Sequence, residues 1–377
     1  MNLAIRDIRH HFGRFVLTCL GLSLLLGVVI SMVGIYRGLV MEALLLVRAP
    51  AADLWVVEAG TRGPFAEASR IPRDTRESVA RLDGVAEAGI VTYQSVQIPV
   101  GEGRQQRVFV IGYEPGRPGG PVTLAEGRPI SRSHFELVVD ARAGIGLGER
   151  LRIGADTFTV VGRTSGQVDS AGNPLLYMSL KDAQKLQFEL QGAAARNQAA
   201  RGQAANPNQV NAVLARLHPG TDAAAVARSV ERWRHLAALT QDEQEGMLLR
   251  SVVDKARKQI GLFTVVLLSV STVIIALIVH TMTLDKVREI ATLKLIGAPD
   301  RTIVALIMQQ ALAMGGISFV LGAALILSAA DRFPRRVIIE GADIALLAGV
   351  VAVACVLASL LGVRHALSID PSRALGG

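Results

Sequence analysis

The chain has 377 residues and a formal net charge of +8; half of its residues are hydrophobic and only 19% are charged. Soluble domains carry about a quarter of charged residues, and the apolar residues here are clustered in long runs. Because much of the basic charge flanks those runs, the composition indicates neither an ordinary soluble protein nor a nucleic-acid partner.

Four apolar runs are long enough to cross a lipid bilayer. A hydrocarbon core of about 30 Å needs roughly 20 apolar residues in a helix. We predict transmembrane helices at residues 15–37, 259–284, 303–330 and 344–363. The first run is longer than the apolar region of a cleaved signal peptide. We therefore expect it to remain in the protein as an anchor.

The distribution of Lys and Arg predicts the orientation of these helices. Basic residues in short loops stay in the cytoplasm. They occur in a predicted amphipathic helix at 1–14, in the segment 285–302 and in the tail 364–377, which places all three in the cytoplasm. The short external loop 331–343 opposes this bias with Arg332, Arg335 and Arg336, partly offset by two acidic residues.

We predict that residues 38–258 form an extracytoplasmic α+β domain between the first two transmembrane helices. Predicted strands lie at 54–57, 91–100, 107–111, 136–140 and 210–217, with a hairpin from 147–151 and 157–162 and helices at 74–82 and 221–235. Thr221 is the expected N-cap of the last helix. Residues 191–209 predict a mobile loop, because they bury too little apolar surface to offset their ordering entropy. From Gln241 a polar helical pattern runs unbroken into the second transmembrane helix.

The sequence lacks the motifs of the common enzyme and nucleotide sites. It has no phosphate-binding loop, no G-x-S-x-G, no H-E-x-x-H and no C-x-x-C. We therefore predict no catalytic, cofactor-binding or metal-binding residue in this chain. Cys19 and Cys355 are expected to be packing residues in membrane helices. His280 fits an interfacial residue better than a haem or metal ligand. Gln309 and Gln310 fit contacts with neighbouring helices better than substrate ligands.

Small residues recur at four-residue spacing in the membrane helices. Such spacing allows helices to approach closely, although it is common in membrane proteins. The predicted helix-packing residues are Gly34, Gly38, Ser318, Gly322, Ala354, Ala358 and Gly362.

The segment from His280 to Thr302 is the most informative. Leu284, Val287, Ala291 and Leu295 form an apolar stripe at helical spacing. Gly297 ends the helix and Pro299 prevents its continuation. We expect the second transmembrane helix to continue as an amphipathic extension, turn sharply and re-enter the membrane. The stripe would lie on the membrane surface or dock into a groove of a partner.

This segment resembles the FtsX-like permease family of ABC transporters, which includes the MacB, LolC/LolE, DevC and HrtB types. The matching residues are Val287, Arg288, Glu289, Ile290, Ala291, Leu293, Lys294, Leu295, Ile296, Gly297 and Ala298. The C-terminal residues 364–375 and residues 53–57 are similar to the same family. Without a fused ATPase, the chain is more similar to the DevC and HrtB types.

The resemblance implies a partner and a mechanism. The segment 285–302 would be a coupling helix that docks on a separate ATPase subunit, which would hold ATP and Mg. Two permease copies, identical or paralogous, would work together in the bacterial inner membrane, with a periplasmic membrane fusion protein as a further partner. The family drives its external domains through rigid helices, a mechanism called mechanotransmission, and expels substrates from the outer leaflet or periplasm.

An alternative within the same fold is a signalling protein. FtsX-like division proteins activate an external partner, such as a cell-wall hydrolase. That class usually has a smaller external domain and a longer cytoplasmic N-terminus than this sequence, in which the amphipathic helix starts almost at Met1. An efflux or extrusion permease is therefore the expected function.

Overall fold

The computed structural model describes residues 12–367 except 62, 64, 66–68, 102–103, 191–208, 331–332 and 334–335. The predicted amphipathic helix at 1–14, the predicted loop at 191–209 and the C-terminal motif therefore lie mostly outside the described residues. The helices are α1 (Phe12–Arg48), α2 (Thr75–Ala80), α3 (Leu180–Leu190), α4 (Ala223–Glu231), α5 (Gln241–Leu248), α6 (Asp254–Asp285), α7 (Val287–Leu295), α8 (Asp300–Ala329) and α9 (Gly341–Leu367).

Helices α1, α6, α8 and α9 are long and apolar enough to cross a membrane. Their candidate spans contain 34, 30, 30 and 24 residues. Their outward faces are apolar too: Leu20, Leu262 and Leu357 are each more than half exposed. A helix that is hydrophobic all round belongs in a protein core or a bilayer. The four-helix membrane architecture predicted from the sequence is confirmed.

The four long helices share one apolar core. One compact unit contains α1 as far as Gly38, α6 from Ala256, and all of α8 and α9. Each helix contributes buried side chains, among them Leu26 from α1, Ile275 from α6, Ile307 from α8 and Val351 from α9. Helix packing inside the bundle therefore uses one face of each helix, while the opposite face is left for lipid.

The unit Leu39–Lys255 is an α+β domain, as the sequence predicts. Its strands are β1 (Leu54–Glu58), β2 (Ile71–Pro72), β3 (Val85–Val100), β4 (Arg104–Tyr113), β5 (Glu126–Gly127), β6 (Glu136–Asp140), β7 (Arg150–Ile153), β8 (Asp156–Thr164), β9 (Leu175–Ser179), β10 (Gln209–Val210), β11 (Ala212–Leu217) and β12 (Leu236–Thr240). The main sheet has the order β12-β1-β11-β3-β4-β9-β6-β8-β5, with β7 also paired to β8. Only the β4–β9 and β6–β8 pairs are parallel.

Two apolar cores cover different parts of this sheet. The first packs α2 and α4, through Val79 and Val230, onto strands β1, β3, β11 and β12. The second packs α3, through Leu186, onto strands β4, β6, β8 and β9. Strand β3 has 16 residues and contributes to both cores, with Ile90 in the first and Ile98 in the second.

Most predicted strands are confirmed, and several elements differ. The predicted strand at 210–217 is interrupted at Asn211, whose side chain accepts a hydrogen bond from the Tyr93 amide at 2.8 Å. The helix predicted at 221–235 is shorter, and Asp222 rather than Thr221 is its N-cap, since the Asp222 carboxylate accepts from the Ala224 amide. The sequence reasoning did not identify β9, α3 or β12.

The helical path into the second membrane helix is not uniform. A π-helical turn, Leu249–Val253, separates α5 from α6. The expectation of an unbroken α-helix from Gln241 is therefore wrong in detail, although the chain stays helical. A π-turn adds a residue to one turn and is often found at functional sites. Composition and periodicity do not reveal it, because its side chains are ordinary helix residues.

Candidate coupling surface and helix stalk

A short helix lies between a break at Lys286 and a turn at Gly297 in the connection from α6 to α8. Lys286 takes φ −104° and ψ 11°, which ends α6 and separates it from α7. After α7, Gly297 has a φ of +84°, the left-handed conformation that commonly follows a helix end. Pro299 then precedes the first residue of α8. The predicted sharp turn is confirmed, but the predicted continuous extension of the second membrane helix is wrong.

Helix α7 has a buried side and an exposed C-terminal end. Ile290 and Ala291 are 4% and 0% exposed, and Ile290 belongs to the core of the four-helix bundle. Leu295 and Ile296 are 61% and 79% exposed. Two adjacent large apolar side chains are therefore presented to the surroundings at the end of the turn.

The apolar stripe expected along this segment is not one face. Leu284, which precedes the bend, is 44% exposed, and Leu295 is also exposed, whereas Ala291 is fully buried. The break at Lys286 separates Leu284 from the other positions. Ala291 and Leu295 share α7, whose middle packs into the bundle through Ile290 while its C-terminal end is exposed. The expected single stripe is therefore wrong.

Lys294 fastens α7 to the end of α9. Its ammonium group donates a hydrogen bond of 2.9 Å to the Leu367 carbonyl oxygen. A cation is favourable at the C-terminal carbonyls of a helix. Lys294 therefore links α7 to α9 within this chain. For Arg288, Glu289 and Leu293 the structure describes the backbone of α7 alone, and Gly297 and Ala298 lie in the turn before α8.

The predicted packing residues of α1 lie against an extended segment, residues 336–340, which we call the strap. A Cβ atom on Gly38 would come within 1.8 Å of the Arg336 carbonyl oxygen. At Gly34, a Cβ atom would lie 2.5 Å from a methyl group of Val337. The Ile338 amide donates to the Gly34 carbonyl oxygen at 3.1 Å. These glycines therefore admit the strap, rather than another helix.

The start of α9 is tied to the same part of α1 by charge. Arg37 donates to a carboxylate oxygen of Asp343 at 2.8 Å and lies 2.8 Å from a Glu340 oxygen. The strap is thus held between α1 and α9 by both close packing and an ion pair.

The small residues of α8 and α9 mark close contacts between helices. A Cβ atom on Gly322 would lie 2.6 Å from the Ser23 carbonyl oxygen of α1. On Gly362 it would lie 3.0 Å from Val279 of α6. Ser318 and Ala358 are buried, and Ala354 is half-buried. Sequence reasoning missed Gly315, where a Cβ atom would lie 2.2 Å from the Cys355 sulfur; its signal was hidden in the pair Gly315-Gly316.

Two ion pairs hold the outer end of α1 within the α+β unit. Arg48 donates to both carboxylate oxygens of Glu245 on α5, at 2.7 and 2.8 Å. This hydrogen bond lowers the pKa of Glu245, so the carboxyl is ionised at neutral pH. Arg142, which follows β6, donates at 2.7 Å to Glu42, a residue only 2% exposed. We call α1 from Leu39 onward, together with α5, the stalk.

The Arg48–Glu245 pair should show coupling in a charge swap. Arg48→Glu or Glu245→Arg alone loses a bidentate pair and brings like charges together, at a cost of about 1 kcal/mol because Arg48 is 54% exposed. The double swap should recover at least half of the lost thermal midpoint. The Arg216–Glu87 pair, 3.6 Å apart with both partners exposed, is the matched control and should show no coupling. If the two single changes lowered the thermal midpoint additively in the double variant, the Arg48–Glu245 pair would not stabilise the stalk.

The other candidate residues fit packing roles. Cys19 and Cys355 are unbonded and buried in the bundle. His280 and Gln310 are half-buried and each makes a polar interaction, and Gln309 is exposed. Within the described residues, no cluster of three or more His, Cys, Asp or Glu side chains is arranged to hold a metal ion.

Family models match most of the chain. The model for the MacB-like periplasmic core domain matches residues 15–233, and that for the FtsX-like permease C-terminal region matches residues 261–371. Solved structures similar to the α+β unit include the periplasmic region of MacB from Actinobacillus actinomycetemcomitans, with 13% identity and a TM-score of 0.36 over 52% of this chain and 91% of that one. The extracellular domain of the transporter YknZ from Gram-positive bacteria has 11% identity and a TM-score of 0.32 over 50% and 99%.

Curated relatives align with nearly the whole chain. Two proteins of Mycobacterium tuberculosis (strain ATCC 25618 / H37Rv), each named as an uncharacterized ABC transporter permease, are 27% identical over 376 residues, covering 99% of both chains. One from Mycobacterium bovis, similarly named, has the same identity and coverage. The two family models follow one another along the sequence, and the connection from α6 to α8 lies inside the second. The chain therefore belongs to the ABC transporter permeases of the FtsX-like and MacB-like type.

Proposed function

We propose that this chain is the permease subunit of an ATP-driven transporter and that α7 docks on a separate ATPase subunit. The observation that supports this most directly is the exposure of Leu295 and Ile296, at 61% and 79%, in a turn between two membrane helices. A large exposed apolar patch marks an interaction site, and these two side chains would form the centre of such a patch. The ATPase would hold ATP and Mg, and its pocket would bury these two side chains.

The proposed orientation follows from the basic residues. Lys286, Lys294 and Arg301 lie in or beside α7, and Arg364 lies near the end of α9. Short basic loops stay inside. The coupling helix and both termini are therefore assigned to the cytoplasm, and the α+β unit to the outside of the bacterial inner membrane.

The proposed mechanism is mechanotransmission through the helices. Movement of α7 on ATP binding would be passed to α6, because one bend at Lys286 joins them. The chain is helical from Gln241 to Asp285, so the displacement would reach α5. There the Arg48–Glu245 pair would pass it to the end of α1. The π-turn is a natural point for this path to flex.

The proposed cargo is a hydrophobic or amphiphilic molecule taken from the outer leaflet or the periplasm. Two permease copies, identical or paralogous, would form the working unit, with a membrane fusion protein as a further partner where the cell has an outer membrane.

Co-purification tests this proposal. The tagged chain should recover a stoichiometric ATPase subunit from its native cells, and the complex in lipid should hydrolyse ATP. Replacement of residues 287–296 by a Gly-Ser linker of equal length should remove the ATPase. If the native chain recovers no ATPase, the proposed function is wrong, although the membrane architecture stands.

A further inference from the structure

An open cavity of about 460 Å³ lies on the α+β unit beside β6 and β8. Its size is in the range of small-molecule sites, about 300–1,000 Å³. Arg128, Arg132, His134, Phe135 and Val161 contribute to its wall. None of these residues takes part in the coupling surface or the stalk.

A buried carboxylate fixes one side of the cavity loop, residues 131–135. Glu136 is 4% exposed. It accepts hydrogen bonds from the amides of Ser131 and Arg132, at 2.9 and 3.0 Å, and from the Arg128 guanidinium at 2.6 Å. The Arg128 hydrogen bond is the main reason that the pKa of Glu136 is lowered to about 2. Glu136 is therefore ionised at neutral pH, and it holds the Ser131 and Arg132 amides from the protein side.

A second buried carboxylate fixes the other side. Asp182, at the start of α3, is 3% exposed. One of its oxygens lies 2.7 Å from Nδ1 of His134, and the other accepts from the Phe135 amide at 2.9 Å. Both carboxylates are thus engaged with N–H donors of the loop, whereas the guanidinium of Arg132 is exposed.

Phe135 is held in an unusual backbone conformation. Its φ is +64°, a region in which a bulky residue is an outlier. Such outliers persist where the surroundings impose them, and they cluster at ligand sites. The Asp182 carboxylate imposes this one, and the result is a phenyl ring, in a residue 49% exposed, on the cavity wall. A glycine would fit the backbone more easily but would present no ring.

The accessible groups of the cavity are two guanidinium groups, an imidazole and a phenyl ring. The Arg132 side chain is 81% exposed and its closest carboxylate contact, to Glu136, is 3.7 Å long. The Arg128 and His134 side chains are each 49% exposed. A guanidinium fork matches phosphate and carboxylate groups. Phe135 and Val161 supply an apolar surface beside the charges.

We propose that this cavity binds an amphiphilic organic anion, a phosphate or carboxylate group joined to an acyl or aryl chain. The anionic group lies against Arg132, and the apolar part lies on the Phe135 ring. That this ligand is cargo rests on the proposed transport function, whereas the binding itself does not.

Isothermal titration of the full chain in zwitterionic nanodiscs tests the site without any ATPase. Hexyl phosphate is the probe. Arg132→Gln and Phe135→Asn should each weaken its binding about tenfold or more. Asn tolerates the left-handed conformation, so Phe135→Asn should keep the thermal midpoint. Arg150→Gln, an exposed arginine on β7 that does not line the cavity, is the matched control and should bind as the native chain does.

Other ligands decide the chemical class. Inorganic phosphate and hexyltrimethylammonium should bind much more weakly than hexyl phosphate. If phosphatidylglycerol in the nanodisc competes with hexyl phosphate, the ligand is a bilayer lipid. If it does not compete, the ligand is a soluble amphiphile. The proposal would be overturned if hexyltrimethylammonium bound as tightly as hexyl phosphate, or if both variants bound hexyl phosphate with native affinity. Tighter binding of a hexaglutamate peptide would also overturn it, in favour of an acidic protein segment as the ligand.

Discussion

Ile296→Asp combined with Leu295→Asp is expected to abolish association with the ATPase while leaving membrane insertion intact. Both side chains are largely exposed in the isolated chain, so the change costs little in folding. On docking, however, each new carboxylate would be buried in an apolar pocket without a partner. Hot-spot losses at interfaces exceed about 2 kcal/mol, which is roughly a thirtyfold weaker complex.

Two controls make this result interpretable. Ile296→Leu keeps the apolar surface and should keep the ATPase. Val122→Asp makes the same chemical change at an apolar residue that is 59% exposed in the α+β unit, and it should leave ATPase recovery unchanged. The amount of ATPase recovered should be measured by pull-down, and the rate of ATP hydrolysis should be measured for the complex in lipid. A double variant that still recovers the ATPase and hydrolyses ATP at the native rate would show that α7 docks by other residues.

The membrane architecture could be predicted from sequence because its signal is local and redundant. About 20 consecutive apolar residues have few alternatives to a membrane helix. Strands with a clear start and end, such as β6, were also found at their true bounds. The same local reasoning placed Gly297 at the end of α7, where its positive φ is a direct consequence of having no Cβ atom.

The missed elements depend on contacts distant in sequence. Strand β9 is a short apolar run whose strand character comes from pairing with β4 and β6 on either side. Its neighbour α3 begins immediately at Leu180, so no turn signal separates the two. Strand β12 follows α4 closely and forms only against β1. In each case tertiary pairing overrides weak local preference.

The candidate site was predictable only where its signal is local in the sequence. The position of the coupling turn follows from Gly297 and Pro299. The exposure of Leu295 and Ile296, by contrast, depends on how α7 packs against the other helices, a contact made through Ile290 that the local pattern does not encode. The stalk pair was invisible to sequence reasoning, because Arg48 and Glu245 are 197 positions apart and each is an ordinary helix-surface residue.

Gly38→Ala is expected to destabilise the four-helix bundle strongly, because the new methyl group would meet backbone. The Cβ atom would lie 1.8 Å from the Arg336 carbonyl oxygen, so the strap itself must move. Overpacking typically costs about 1–3 kcal/mol and occasionally more. The gain in helix propensity, about 1 kcal/mol, offsets only part of this. Gly322→Ala should behave similarly, since its Cβ atom would lie 2.6 Å from the Ser23 carbonyl oxygen.

Each variant has a matched control on its own helix. A Cβ atom on Gly21 of α1, or on Gly316 of α8, would meet nothing within 4 Å. Gly21→Ala and Gly316→Ala should therefore leave the thermal midpoint of the purified chain unchanged or raise it, while Gly38→Ala and Gly322→Ala lower it. If each variant had the same thermal midpoint as its control, the strap and the α1–α8 contact would accommodate the added methyl group without loss of stability. A lower midpoint only at Gly322 would show that the helices depend on close approach and that the strap does not hold α1 to α9.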